Sequence, residues 1–258
     1  MAGAISVTSH NGITCLTLDN PKSRNAFSTQ MVIDMIAALE TAHADVRCRA
    51  IVLAGAGDHF CAGGDVSEMQ ADRPLLGSRL RIERAHRIIR LLSAGPKPTI
   101  CAVEGIAYGL GLSLAMACDW VVASQSSRFC AVFNKVGLIP DMGLMWSLPQ
   151  RIGVAKAKQL FFTARAVQSD EAQGLGMIDA LTDVGCARHN AMVTAEQWGG
   201  SAPIPVALVK AVYAKGEATL EAVLRAEVDH QPALYLTQDH EEGVAAFREK
   251  RAPHFNGK

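Results

Sequence analysis

Residues 99–111 read Thr99-Ile100-Cys101-Ala102-Val103-Glu104-Gly105-Ile106-Ala107-Tyr108-Gly109-Leu110-Gly111, a short apolar run broken by one glycine and followed by a second glycine-rich turn. A brief apolar run bounded by glycine is the pattern of a buried strand, here Ile100 to Val103. The rhythm occurs earlier too. Ala50 to Ala54 is a second such run, it ends in Gly55-Ala56-Gly57, and Phe60-Cys61-Ala62-Gly63-Gly64-Asp65-Val66 follows. Strand, glycine loop and helix recur, so the first part of the chain reads as α/β.

Outward from these strands, Ala4 to Thr8 and Ile13 to Leu18 flank the Asn11-Gly12 turn signal and predict an opening hairpin. Ser28 can cap a helix whose apolar residues Met31, Val32, Met35, Ile36 and Leu39 share one face. Leu76 to Leu92 carries Leu80, Ile82, Ile88, Ile89, Leu91 and Leu92 among Arg79, Arg81, Arg84, Arg87 and Arg90, and Pro96 and Pro98 end it. Such an arginine run reads either as an anion-binding helix or, more simply, as the solvated face of an amphipathic one. From about Asp141 the pattern is almost wholly helical, over Ala155–Phe162, Ser169–Gly174, Cys186–Trp198, Pro203–Lys215, Leu220–Gln231 and Gln238–Lys250. The Gly199-Gly200-Ser201-Ala202-Pro203 break divides the chain into a core domain, 1–200, and a C-terminal helical subdomain, 201–258.

Composition removes several function classes. Among 258 residues, 25 Lys and Arg balance 25 Asp and Glu, while 49% are hydrophobic and 19% charged. A nucleic-acid binder carries a basic excess, and a disordered chain lacks this apolar content, so neither fits. The arginine run also lacks interleaved aromatics on which bases could stack. Seven cysteines, odd in number and mostly set in apolar runs, show neither a CxxC pair nor zinc-site spacing. They are expected as reduced thiols in a cytoplasmic protein with no metal centre. The first fifteen residues lack a basic region followed by an apolar core, and no long apolar stretch exists, so neither signal peptide nor membrane span is expected.

Glycine turns between a strand and a helix let main-chain N–H groups point at a ligand, with the helix N-terminus adding its positive end. Two such donors can form an oxyanion hole, although the same turns are also common packing devices. Neither turn matches a phosphate-binding P-loop, and Gly109-Leu110-Gly111 is too short for a dinucleotide fingerprint.

Five segments in order resemble the enoyl-CoA hydratase/isomerase, or crotonase, superfamily. They are Asn20-Pro21-Lys22-Ser23-Arg24-Asn25-Ala26-Phe27, the two glycine turns with the second running on through Asp119, Val136-Gly137-Leu138-Ile139-Pro140-Asp141-Met142-Gly143, and Glu241 through Arg251. The resemblance implies a spiral of ββα units with a C-terminal helical trimerisation region, assembled as a homotrimer or homohexamer that acts on acyl-CoA thioesters. It implies an oxyanion hole from the Ala62 and Leu110 N–H groups. It also implies that the CoA moiety is held near Arg24 and Ala26 and near Ala62, Gly64, Asp65 and Val66, with Arg24 either a phosphate partner or a surface cation. No resident cofactor is expected, because coenzyme A arrives as part of the substrate.

Hydration uses two glutamates, and the corresponding positions here hold Ser113 and Phe133. Neither side chain can act as a general base near neutral pH, so hydratase activity is not expected. Asp141 remains, where isomerases of the family that carry an aspartate resemble it. Its plainer reading is an N-cap of the following helix; its chemical reading is an acid/base with a pKa raised by Met142, Met145, Trp146 and Phe133. The expected reaction is isomerisation of an enoyl-CoA double bond. Ring opening of an epoxyphenylacetyl-CoA type and a non-catalytic acyl-CoA binder are the alternatives. Dehalogenation, with Asp141 as nucleophile, would need a base that no histidine in a matching motif supplies. His59, His86 and His240 are read as structural or loop residues. Acyl-chain selection is expected to depend on the segment around Met69 to Gly77.

Overall fold

Asn11 and Gly12 both adopt positive φ, 48° and 77°, the conformation a tight hairpin demands. Across them β1 (Ala4–His10) pairs antiparallel with β2 (Ile13–Asp19), His10 opposite Ile13 and Ala4 opposite Asp19. The computed structural model describes residues 3–68, 74–216 and 219–258. Next comes α1 (Thr29–Ala44), capped as expected by Ser28, whose hydroxyl accepts the Met31 N–H; it buries Met31, Val32, Met35 and Leu39. Strand β3 (Ala50–Gly55), helix α2 (Leu75–Ala94), strand β4 (Thr99–Val103), strand β5 (Ile106–Tyr108) and helix α3 (Leu110–Ala117) follow. Then come β6 (Trp120–Ser124), β7 (Arg128–Cys130), α4 (Leu144–Ile152), α5 (Val154–Thr163), β8 (Val167–Gln168), α6 (Ser169–Leu175) and β9 (Ala180–Thr182). Helices α7 (Ala187–Gly199), α8 (Pro203–Ala214), α9 (Leu220–Leu234) and α10 (Gln238–Glu249) complete the chain.

The main sheet has the order β1-β2-β3-β4-β6-β9, parallel except for the opening hairpin. Successive residues of its strands enter opposite layers. Leu16, Leu18, Ile51, Leu53, Cys101 and Val103 join the large core under α1, α2 and α3, whereas Ile13, Cys15, Val52, Ile100 and Ala102 join a second core under α7. A parallel sheet covered on both faces is why its strands read as unbroken apolar runs. Helix α7 offers Ala187, Ala191 and Ala195 to the sheet, a small-residue face that lets it sit close. A second sheet, β5-β7-β8, stands beside the first and carries the second glycine turn.

Two expectations need correction. The chain after Asp141 is not wholly helical, because β8 and β9 close the edges of the two sheets, β9 pairing parallel with β6 and β8 antiparallel with β7. At two and three residues they are too short to display alternation. Helix α4 starts at Leu144, with Gly143 at its cap, and not at Met142, the start that an Asp141 cap would set. The C-terminal helices otherwise begin and end within three residues of the expected positions.

Helix α8 is fastened to the core by a buried cation. Lys210 is 8% exposed, donates to the carbonyls of Leu92 (2.9 Å) and Lys97 (2.9 Å), and pairs with Asp119. Asp119 in turn accepts from the N–H (2.7 Å) and hydroxyl (2.9 Å) of Thr99. All seven cysteines are free, and six are buried. Burial pushes the Cys61 thiol up to about 12.

Candidate active site

The two glycine turns meet main chain to main chain. Cys61 bridges Ala107 in parallel fashion: its N–H donates to Ile106 (2.9 Å) and its carbonyl accepts from Tyr108 (2.9 Å). Gly63 lies at φ 116°, and a Cβ there would come within 3.3 Å of the Tyr108 carbonyl and 4.0 Å of the Gly109 Cα. At Gly111 a Cβ would come 2.6 Å from the Cys61 carbonyl oxygen. Glycine at these two positions is what allows strand β5 and helix α3 to dock against the first turn.

Bringing the turns together decides which N–H groups are left without an acceptor. The Ala62 N–H, expected in the oxyanion hole, is taken by the Arg24 carbonyl at 2.9 Å, and the Asp65 N–H by the Phe27 carbonyl at 3.0 Å. Between them, the Gly64 N–H has no acceptor among the described residues. Leu110 opens α3, where the first N–H groups of a helix lack intrahelical partners, and its N–H likewise has no acceptor among the described residues. The free pair is therefore Gly64 and Leu110, and Ala62 serves to lock the first turn to the Arg24 corner. Sequence reading missed this because Ala62 and Gly64 sit two residues apart in the same turn, and only the partner of each N–H tells them apart.

That corner is organised by Asn25, which is fully buried at φ 58°. Its Oδ1 accepts the Asn20 N–H (2.8 Å), and its Nδ2 donates to the carbonyls of Ala56 (2.9 Å) and His59 (2.6 Å). Both amide protons and the amide oxygen are directed at loop main chain outside the regular strands and helices. Phe27 donates to the Gly63 carbonyl at 2.8 Å, so Arg24, Ala26, Gly64, Asp65 and Val66 share one rim. Arg24 is exposed on it, Val66 is 70% exposed, and Asp65 accepts from the Ser67 N–H (2.9 Å) and hydroxyl (2.7 Å). Met69 to Arg73, within the segment expected to select the acyl chain, lie outside the described residues.

Asp141 does not cap α4. The helix N-cap is Gly143 and no side chain caps it; Asp141 contributes only its carbonyl, which accepts the Leu144 N–H at 3.1 Å. Its Oδ1 is buried with no hydrogen-bond partner. Burial raises the pKa of this carboxyl above the ordinary aspartate value, while His86 and Arg81 on α2 pull it partly back. Of the expected apolar neighbours, Met142 and Phe133 are buried, whereas Met145 and Trp146 are half-open to solvent, at 52% and 38%.

Ser113 joins the two halves of the site. It is fully buried one turn into α3, and its hydroxyl donates to the Asp141 carbonyl at 3.0 Å. Leu110 and Ser113 are three residues apart, about 4.5 Å along the helix axis, so the free N–H and the Asp141 loop lie one turn from each other. His59 packs against Gly105, where a Cβ would come 2.2 Å from its Nδ1, and His240 stacks edge-on against Tyr235 at 5.2 Å. Arg79 pairs with Glu83 (2.9 Å) and Arg87 with Glu40 (3.0 Å) on the solvent side of α2.

A mostly parallel sheet, a second small sheet and two abutting glycine turns that leave N–H groups free make up a fold of the crotonase type. The model of the enoyl-CoA hydratase/isomerase family matches residues 8–258, and the chain belongs to that family. It is 37% identical over 96% of its length to a protein of Rhodobacter capsulatus described as a probable enoyl-CoA hydratase, of which 95% is covered. It is 35% identical, again over 96% of each chain, to the 1,2-epoxyphenylacetyl-CoA isomerase of Escherichia coli. The crystal structure of an enoyl-CoA hydratase from Polaromonas superposes with a TM-score of 0.93 at 35% identity, covering 98% of this chain and 100% of the other. The protein is therefore an acyl-CoA-processing member of this family. Among the described residues no helix is long and apolar enough to cross a membrane.

Proposed function

We propose that this protein isomerises an enoyl-CoA thioester by moving a proton along one face of the acyl chain. The observation that carries the reading is Asp141, a carboxyl with one oxygen buried and unpartnered, beside a site whose other two expected acid/base positions hold Ser113 and Phe133. In the proposed step the Asp141 carboxylate takes the proton from C2 of a 3-enoyl thioester. The electron pair of that C–H bond moves into the thioester to give a dienolate, whose oxygen lies between the Gly64 and Leu110 N–H groups. Asp141 then returns the proton at C4, so nothing is gained or lost. Preorganised donors of this kind are each worth about 3–4 kcal/mol of transition-state stabilisation. The elevated pKa suits a group that must both accept and give a proton.

The test is conversion of 3-enoyl-CoA to 2-enoyl-CoA by the native protein and by Asp141→Asn. Loss of about 10²–10⁴-fold in the variant is expected from removal of the acid/base, and undiminished isomerisation would sink the assignment. Rapid hydration of crotonyl-CoA by the native protein would equally overturn it. Likeness to the Escherichia coli 1,2-epoxyphenylacetyl-CoA isomerase favours a second reading, isomerisation of a ring epoxide of an aryl-acyl-CoA. Assaying both substrate types with the same preparation separates the two.

A further inference from the structure

The Asp141 carboxyl must be aimed, yet its own Oδ1 touches no donor among the described residues. Its direction is therefore set by the main chain that carries it. That main chain is unusual. Met142, next in sequence, is buried at φ 49°, and Gly143 follows at φ 72°, so two consecutive residues lie in the left-handed region. A bulky non-glycine residue in that region is strained and persists only where its surroundings impose it. Two hydrogen bonds converge on the Asp141 carbonyl, at the peptide that enters Met142: the Leu144 N–H at 3.1 Å, from within the same turn, and the Ser113 hydroxyl at 3.0 Å, from α3. The hydroxyl has one proton, and its other acceptor, the Gly109 carbonyl at 3.3 Å, is more distant and already receives the Ser113 N–H at 3.1 Å. Ser113 is fully buried, so water cannot replace it at either place.

We infer that Ser113 is a positioning residue that holds the Asp141 loop in register with the N-terminus of α3, fixing the distance between the proton-carrying carboxyl and the thioester oxygen at Leu110. The inference rests on the isomerase reading above. The same helix supplies the free Leu110 N–H and, one turn later, the hydroxyl, so a single rigid element gauges both ends of the reacting unit. A serine at this place does no acid/base chemistry and acts entirely through Asp141.

The experiment measures kcat and KM for 3-enoyl-CoA isomerisation in Ser113→Ala, Ser113→Thr, Asp141→Asn and the Ser113→Ala/Asp141→Asn double variant, with melting temperatures for each. Ser113→Ala is expected to lower kcat roughly 10- to 100-fold, as a misplacement of about 1 Å does, with KM changed less than about two-fold. Ser113→Thr, which keeps the hydroxyl, is expected to recover most of kcat, and the double variant is expected to be no slower than Asp141→Asn alone. A Ser113→Ala enzyme with native kcat, or a double variant slower than Asp141→Asn by the full Ser113→Ala factor, would overturn the positioning role. If Asp141→Asn is inactive while Ser113→Ala is native, only this inference fails. If Asp141→Asn is fully active, the isomerase reading fails and takes the inference with it.

Discussion

Asp141 loses hydration on folding and gains no hydrogen-bond partner for Oδ1, and two measurements follow from that imbalance. Its folded pKa is raised from 3.8 by desolvation, His86 and Arg81 opposing the shift. The carboxyl is therefore easier to fold protonated than ionised: its contribution to stability is complete below 3.8 and is lost as pH rises through the raised value. Asp141→Asn is accordingly expected to melt higher than the native protein at pH 7, by about 2–4 °C for each ~1 kcal/mol relieved, with the gap closing below pH 4. A lower melting point for the variant at pH 7 would contradict the burial cost. The same shift moves catalysis in the opposite sense, because the base must be ionised. The acid limb of kcat is expected to lie above the ordinary aspartate range, and a limb at or below 3.8 would show that another group limits the rate. Asp141 was legible in the sequence as the one surviving carboxyl, but its chemical and capping readings were equally consistent with Pro-Asp before a helix. The Gly143 cap removes the capping reading, and the unpartnered oxygen supports the chemical one.

Helix α3 and the first glycine turn work as one element, and the close approach between them was not legible. Apolar runs ending at Gly55 and Gly105 announced the strands, since a doubly covered parallel sheet leaves nothing polar in them. Periodicity says nothing, however, about Gly63 facing Tyr108 and Gly109 across the junction. Nor does a single sequence reveal that Asn25 supplies two hydrogen bonds to main chain 31 and 34 residues away. Gly63→Ala tests the junction. A Cβ at φ 116° is sterically costly, about 1–3 kcal/mol, and the backbone shift that relieves it moves the Gly64 N–H. A loss of at least ten-fold in kcat, larger than the loss in KM, is the expected outcome for a protein that still folds. Retained kcat would mean that the Gly64 N–H does not hold the reacting oxygen.

At the scale of the whole molecule, helix α8 is tied to the core by a buried ion pair, and several apolar side chains of the C-terminal region are open to solvent. Val228, Leu236 and Phe247, from α9, the turn after it and α10, are each more than 70% exposed. The trimer implied by the family resemblance would give such side chains a partner, and light scattering on the full chain is expected to give the mass of three or six copies. A monomeric mass at micromolar concentration would contradict it. The tie to the core is Lys210 with Asp119, invisible in a sequence where Lys210 is one cation on an apolar helix. Side-chain exposure is 7% for Lys210 and 25% for Asp119, so removing the lysine alone leaves a mostly buried carboxylate without its counter-charge and takes one donor from each of the Leu92 and Lys97 carbonyls. Breaking one side of a buried pair costs about 3–5 kcal/mol, and partial access of water to Asp119 favours the lower end. Lys210→Met is expected to lower the melting temperature by roughly 6–12 °C, at about 2–4 °C per kcal/mol, and to expose the 199–203 break to protease. Lys210→Met/Asp119→Asn, which removes both charges, is expected to recover part of that loss, because the uncompensated carboxylate and not the missing packing dominates the cost. If the double variant melts no higher than Lys210→Met, α8 is held by its apolar contacts with α2 and the buried pair adds little.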